Sequence, residues 1–463
     1  MFHKSRTLAL TGIIAQVTEW RMHETGTEAC AGGCRGDSRR GGGRRWAKTL
    51  ATWGMGVVGA GVVLAGVRAV AFRGPYRPPA PLPSEPIIDL HCHAAGLGAG
   101  GSGCFVADRL RSNWRFKPFL AAYDVTEAEL EREGDGLLIR RLAEGVAASK
   151  SVRAAVVLAM DGVMNDRGEL DREQTEMYVP NEFVARETAR CTNLWFGASI
   201  HPGRRDALER LDWAAAHGAV LVKWIPSIMR FDPAEERWVP FYERLVFHGL
   251  PLLTHTGDER AFTGAVDAYG DPERLELALR LGVTVIAAHA AAQGENAGEP
   301  NLARLRRLMA RHPNLYADIS ALTQVNRMGQ LGAALEAGEC AGRLVYGTDY
   351  PLIHTPLMSP WFFLMRLRVA ECARLAAIAN PWDQDVGLKQ ALGVSPDVFQ
   401  RAGELLARRR LRPNGVRDPM KPYCLSGPSL PRLANVESSK AGGGGTAGTQ
   451  LDLLTPYSTS RGL

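Results

Sequence analysis

Five stretches of this chain each end an apolar run in a residue able to bind a cation or move a proton. In Ile87-Ile88-Asp89-Leu90-His91-Cys92-His93, two imidazoles stand two residues apart. On a strand that spacing puts both on one face, where they can grip a single ion together. Lys223 closes the run Val220-Leu221-Val222, His255 closes Leu252-Leu253-Thr254, His289 follows Val285-Ile286-Ala287-Ala288, and Asp349 follows Val345-Tyr346-Gly347-Thr348. Imidazoles and a carboxylate gathered at strand ends are the donors that hydrolytic metal centres use. One buried histidine is more often a satisfied core residue than a ligand, so the weight lies in five runs ending in compatible chemistry. Lys223 is the weakest of the five, because a strand-end lysine can reach solvent on its own stem.

Short apolar runs alternate with longer helical patterns, which is how strand and helix units announce a parallel sheet. Strands are expected at 87–93, 154–162, 194–202, 219–226, 251–257, 284–290, 315–320 and 344–351, with helices such as Asp206–His217, Pro272–Leu281 and Asn301–His312 between them. Eight such strands close most simply as an α/β fold, a (β/α)8 TIM barrel, whose C-terminal strand ends share one mouth. Every candidate ligand falls at or near such an end. The first connection, Ala94 to Arg153, is long and carries Gly98, Gly100, Gly101 and Gly103, as a mobile cover or a pocket wall would. Cys92, between two inward histidines, should face the helical layer.

With His91 and His93 on the first strand, His255 on the fifth, His289 on the sixth and Asp349 on the eighth, the chain resembles the amidohydrolase superfamily over about residues 86 to 408. Tyr346-Gly347-Thr348-Asp349-Tyr350-Pro351 is most similar to its amidohydrolase-related branch. The resemblance implies that His91, His93 and Asp349 bind one divalent ion and that His255 and His289 bind a second when one is present. It also implies that Lys223, at the end of strand four, bridges the two after carboxylation by carbon dioxide. With one ion, His289 would instead orient substrate or water. Asp349 and His289 are therefore the expected catalytic residues, and zinc suits this donor set best, although manganese, iron and nickel also accept it. A divalent ion lowers the pKa of bound water from about 15.7 to about 7, and Asp349 would carry the proton to the leaving group.

The reaction class that follows is hydrolysis of a C–N or C–O bond in a small molecule such as an amide, lactone or ester. A non-oxidative decarboxylase of the same branch is the nearest alternative, and a non-catalytic barrel serving as a binding module is the more distant one. Substrate contacts are expected from Trp224, His354 and Arg109. Arg111, Arg115 and Lys117 are further cations after the first strand, and His201 is a mouth histidine that a loop hydrogen bond explains equally well.

At 463 residues, 46% hydrophobic and 22% charged, the chain can bury a large core. Its formal charge of +6 does not indicate nucleic-acid binding, because much of the excess lies near the N-terminus, in Arg35, Arg39, Arg40, Arg44, Arg45 and Lys48. Thr49 to Val67 lacks any charge and is about long enough to cross a bilayer at ~1.5 Å per residue. The expected organisation is a disordered segment at 1–43, a transmembrane anchor or signal segment at 44–72, a Pro-rich linker at 73–85, the barrel at 86–410 and a flexible tail at 411–463. Basic residues before the apolar stretch would place the barrel outside the cytoplasm, with the membrane as a partner, or secreted if Ala69-Val70-Ala71 is a cleavage site. A homo-oligomer is allowed. The cysteines beyond the stretch, Cys92, Cys104, Cys191, Cys340, Cys372 and Cys424, have no framework spacing and are expected as free thiols.

Overall fold

The strand-end residues are brought together by a sheet of eight parallel strands whose order follows the sequence: β1 (Ile87–His93), β2 (Val152–Leu158), β3 (Leu194–Ala198), β4 (Leu221–Trp224), β5 (Leu252–Thr254), β6 (Val285–Ala287), β7 (Leu315–Asp318) and β8 (Leu344–Val345). The computed structural model describes residues 81–113 and 116–407. Helices return the chain between strands, among them α1 (Gly136–Ala147), α2 (Asn181–Thr188), α3 (Ala207–Ala216), α4 (Val239–His248), α5 (Glu276–Arg280) and α6 (Asn301–Arg311), followed by α7 (Pro381–Ala391) and α8 (Pro396–Ala407). Side-chain alternation then sorts two cores. Ile88, Leu90, Val156, Leu158, Leu221, Leu253, Ile286 and Val345 fill the inside of the curl together with Ala402, Leu405 and Leu406 of α8. Ala155, Val157, Val222, Trp224, Leu252, Val285, Leu315 and Ala317 face the helices.

The regular eight-stranded closure expected from the sequence needs correction. The ladder runs unbroken from β1 to β8, but those two strands share no ladder of their own, because β8 keeps strand geometry for only two residues. The curled sheet is joined there by Leu90 N to Tyr346 O (3.5 Å), His93 N to Tyr350 O (2.9 Å) and Asp349 N to His91 O (2.9 Å). Asp89 staples the same seam, accepting hydrogen bonds from the backbone N–H of Thr348 (3.0 Å) and from Trp382 Nε1 (2.9 Å). Gly347 is required at this crossing, since a Cβ there would come within 2.9 Å of His91 Cβ.

The expected N-terminal transmembrane or signal helix is also corrected: among the described residues, no helix is long and apolar enough to cross a membrane. The stretch 49–67 on which it rested lies outside the described residues, as do segments 1–43, 44–72, most of 73–85, and 411–463, together with Arg115 and Cys424. The membrane partner and the placement outside the cytoplasm, by anchoring or by secretion, had no other support and are withdrawn with the helix.

The long first connection is pinned rather than free. Asp135, fully buried, accepts hydrogen bonds from Leu97 N (3.0 Å), Gly98 N (2.9 Å) and Ser102 Oγ (2.5 Å), which holds the glycine-rich turn against the start of α1. Tyr123 in the same connection donates its hydroxyl to His93 O at 3.2 Å, bracing the end of β1. The five described cysteines are free thiols, and Cys92 faces outward, its Sγ 3.0 Å from Asp89 Oδ2.

Candidate metal centre

Strict alternation along β1 would turn His91 away from the side that Ile88 and Leu90 occupy. The pairing of β1 with β2 slips between Asp89 and Cys92, and this bulge rephases the strand so that His91 and His93 enter the mouth. Alternation along β4 needs no such device: Leu221 and Lys223 face inward, Val222 and Trp224 outward. At β6 and β8 the last apolar residues leave the ladder and the backbone turns left-handed, with φ of 56° at His289 and 64° at Asp349. His and Asp enter that region more readily than most side chains do, and here hydrogen bonds from the surroundings hold them in it. Asp318 Oδ1 accepts the His289 N–H at 2.8 Å, and the Asp349 N–H is tied to His91 O.

The resulting geometry is close. His91 Nε2 and His93 Nε2 are 3.1 Å apart, and Asp349 Oδ1 lies 3.3 Å from the second and 3.6 Å from the first. Ligand atoms held tetrahedrally at ~2.0–2.1 Å from zinc would stand about 3.3 Å from one another, so this triangle has the dimensions of one ion's coordination shell. Lys223 Nζ is 3.0 Å from His91 Nε2, and His289 Nε2 is 3.8 Å from Asp349 Oδ2. His255 stands one ring further out, its centroid 5.3 Å from that of His289 and its Nδ1 3.5 Å from Glu259.

A second grouping, His91, His289 and Asp318, also brings donor atoms together. Its contacts are hydrogen bonds already made: Asp318 Oδ2 holds His91 Nδ1 at 2.8 Å, and Oδ1 takes the backbone N–H groups of His289 and Ser320. Ser320 Oγ lies 2.8 Å from His289 Nδ1, and the Ser320 carbonyl 3.1 Å from the same nitrogen. Asp318 and Ser320 therefore fix which nitrogen each imidazole presents, the service that outer-shell groups render to metal ligands. Sequence reasoning missed Asp318, although it ends the apolar run Leu315-Tyr316-Ala317 just as the named residues end theirs.

Burial sets the charge states. It lowers His91 to about 4, helped by the nearby Lys223 charge and opposed by Asp318. It also lowers Lys223 to about 8 against the pull of Asp318, Asp349 and Glu259. Burial alone would raise Asp349 and Asp318, but the neighbouring imidazoles, His289 for the first and His91 for the second, hold both carboxyls below the ordinary range. His289 is depressed by burial and then by Arg327. Neutral imidazoles beside ionised carboxylates are the protonation states a divalent cation requires.

The other expected contacts fall elsewhere. Trp224 is fully buried on the outer side of β4 against Phe231, Phe241 and Tyr242, with Nε1 donating to Ile200 O at 2.7 Å, so it is a core residue and not a substrate contact. The guanidinium of Arg109 is committed to Glu176 Oε1 (3.2 Å) and to the carbonyls of Glu173 (2.7 Å) and Gln174 (2.9 Å), tying the first connection to the second. His354 packs edge-on to Tyr350 and Trp382 behind the seam. His201 takes the loop role, with Nε2 3.1 Å from Met229 O and Nδ1 accepting from Gly203 N at 2.8 Å.

Residues 88–382, more than half of the chain, match the family model described as Amidohydrolase. No curated protein matches. Among solved structures, an uncharacterised TIM-barrel protein from Bordetella bronchiseptica is 18% identical, with 66% of this chain and 99% of that one covered and a TM-score of 0.42. A putative 2-pyrone-4,6-dicarboxylic acid hydrolase from Pseudomonas putida is 17% identical, with 71% and 99% covered and a TM-score of 0.41. Amidohydrolase 2 from Bifidobacterium longum subsp. infantis is 15% identical, with 70% and 98% covered and a TM-score of 0.35.

Proposed function

The chain belongs to the amidohydrolase superfamily, a metal-dependent hydrolase acting on a C–N or C–O bond of a small molecule, and we propose that His91, His93 and Asp349 hold its divalent ion. The observation that carries the proposal is the triangle of 3.1, 3.3 and 3.6 Å among their donor atoms. Zinc suits two imidazoles and a carboxylate best. A divalent ion held there would supply a water whose pKa falls from about 15.7 to about 7, and a Lewis acid for the scissile carbonyl.

Asp349 is ionised and at the mouth, so it can take the proton of the attacking water on a carboxylate oxygen and deliver it to the departing nitrogen or oxygen. His289, its Nδ1 engaged by Ser320, turns Nε2 towards Asp349 and orients the water or the substrate carbonyl. Lys223 has a further role in this proposal. Its Nζ sits beside His91 Nε2, and a lowered pKa leaves part of the amine neutral near pH 8, able to add carbon dioxide and lose a proton. The carbamate so formed would offer a bridging carboxylate to a second ion shared with His255 and His289.

The test is turnover across a panel of amides, lactones and esters. His91→Ala and Asp349→Asn should each lose at least about 100-fold in kcat while circular dichroism stays unchanged; full activity in either folded variant would defeat the assignment. Lys223→Ala should lose metal and regain activity with added acetate or propionate, and unchanged metal content would remove the bridging role.

A further inference from the structure

Among the described residues, two buried donors on the loop after β7 have no acceptor. Gln324 is 3% exposed, yet its Nε2 is unpartnered, and Nη1 of Arg327 is likewise buried without a partner. Native structures rarely leave such groups unpaired, and a guanidinium nitrogen is among the costlier ones to strand. The loop is held firmly: Arg327 N donates to Gln324 O (3.0 Å), Gln324 N to Ala321 O (3.1 Å), and Val325 N to Leu357 O (3.0 Å). Arg327 Nε is fixed by Gln293 Oε1 at 3.0 Å, so the guanidinium is oriented before anything binds. The loop follows the C-terminal end of β7, and Gln293, which anchors Arg327, lies in the loop after His289, so the guanidinium stands at the same mouth as the proposed metal ligands, where its charge helps to depress His289.

We propose that the substrate bears a carboxylate, distant from the bond that is cut, received by Nη1 of Arg327 and the Gln324 amide. The inference rests on the hydrolase reading above and adds the substrate class to it. A guanidinium presents planar donors that match a carboxylate, and a second amide donor on the same loop adds direction. Asp349 and Asp318 do not compete for this role. Asp349 faces the histidine pair, and Asp318 is consumed by His91, His289 and Ser320. Fixing an anionic end here would hold the scissile carbonyl at a set distance from Asp349, the positioning that turns binding energy into rate.

The experiment is calorimetric titration of the zinc-loaded protein with glutarate and with its neutral counterpart glutaramide. Wild type should bind glutarate about tenfold more tightly or better, Arg327→Met should erase that preference with zinc content unchanged, and Arg327→Lys should restore only part of it. Equal affinity for the two probes in wild type, or a preference that survives Arg327→Met, would overturn the proposal and leave the metal alone as the anion's partner. Should Arg327→Met fail to fold, Gln324→Leu decides: a loss of about threefold or more for glutarate alone supports the site, and no change contradicts it. Failure of the hydrolase reading would show separately, as wild type turning over no panel member whatever its glutarate preference.

Discussion

At the scale of single residues, what makes His91 a candidate ligand is its partner on the far nitrogen. Asp318 and Ser320 hold Nδ1, so Nε2 is the atom left to face His93 and Asp349. The same serine sets His289. Asp318→Asn keeps the shape but loses the charge that fixes the tautomer, and metal affinity should fall by about 10–100-fold with the fold retained. Competition titration against a chelating dye measures this directly, and an unchanged affinity would mean that His91 is oriented by packing alone. His91, His93, Lys223, His289 and Asp349 were legible in the sequence because each ends an apolar run. Asp318 carries the same signal at the end of the seventh apolar run, Leu315-Tyr316-Ala317, but its part in the site shows only in the hydrogen bonds it makes to His91 and His289.

At the scale of elements, the strands decide which of two neighbours reaches the mouth. Lys223 and Trp224 are adjacent, and alternation along β4 sends the lysine inward and the tryptophan into the helical layer. Trp224→Ala should therefore cost about 3–5 kcal/mol of stability, read by denaturant unfolding, while KM of the folded fraction stays within about twofold. A selective rise in KM without loss of stability would restore it to the pocket. His201, after β3, is held neutral: burial lowers it to about 4, with Asp161 opposing. Because its folded pKa lies below the ordinary value of about 6.5, the unfolded chain binds the extra proton first, and stability is complete above that value. It should decline by up to about 1.4 kcal/mol per pH unit as pH falls from 6.5 towards 4. His201→Gln should flatten that slope relative to wild type, and parallel slopes would show that the imidazole is not buried in this way. The bulge in β1 was not legible, since nothing in Ile87-Ile88-Asp89-Leu90 marks where the pairing with β2 slips. The left-handed turns at His289 and Asp349 were equally hidden, because the hydrogen bonds that impose them come from Asp318 and His91.

At the scale of the whole molecule, the order of eight parallel strands follows the sequence because each apolar run is short, β-rich and separated by a helical pattern. The seam could not be foreseen, as it depends on a Gly347 crossing and an Asp89 staple that join residues more than two hundred positions apart. It matters for function because the seam sets His91 and His93 against Asp349, so one irregular joint builds the proposed ion site. The most direct test of that claim is metal stoichiometry by elemental analysis of purified wild type and of the His91→Ala/His93→Ala double variant. Wild type should carry at least about one divalent ion per chain and the double variant almost none. Equal metal content in the two proteins would contradict the assignment, because the ion would then be held by other residues.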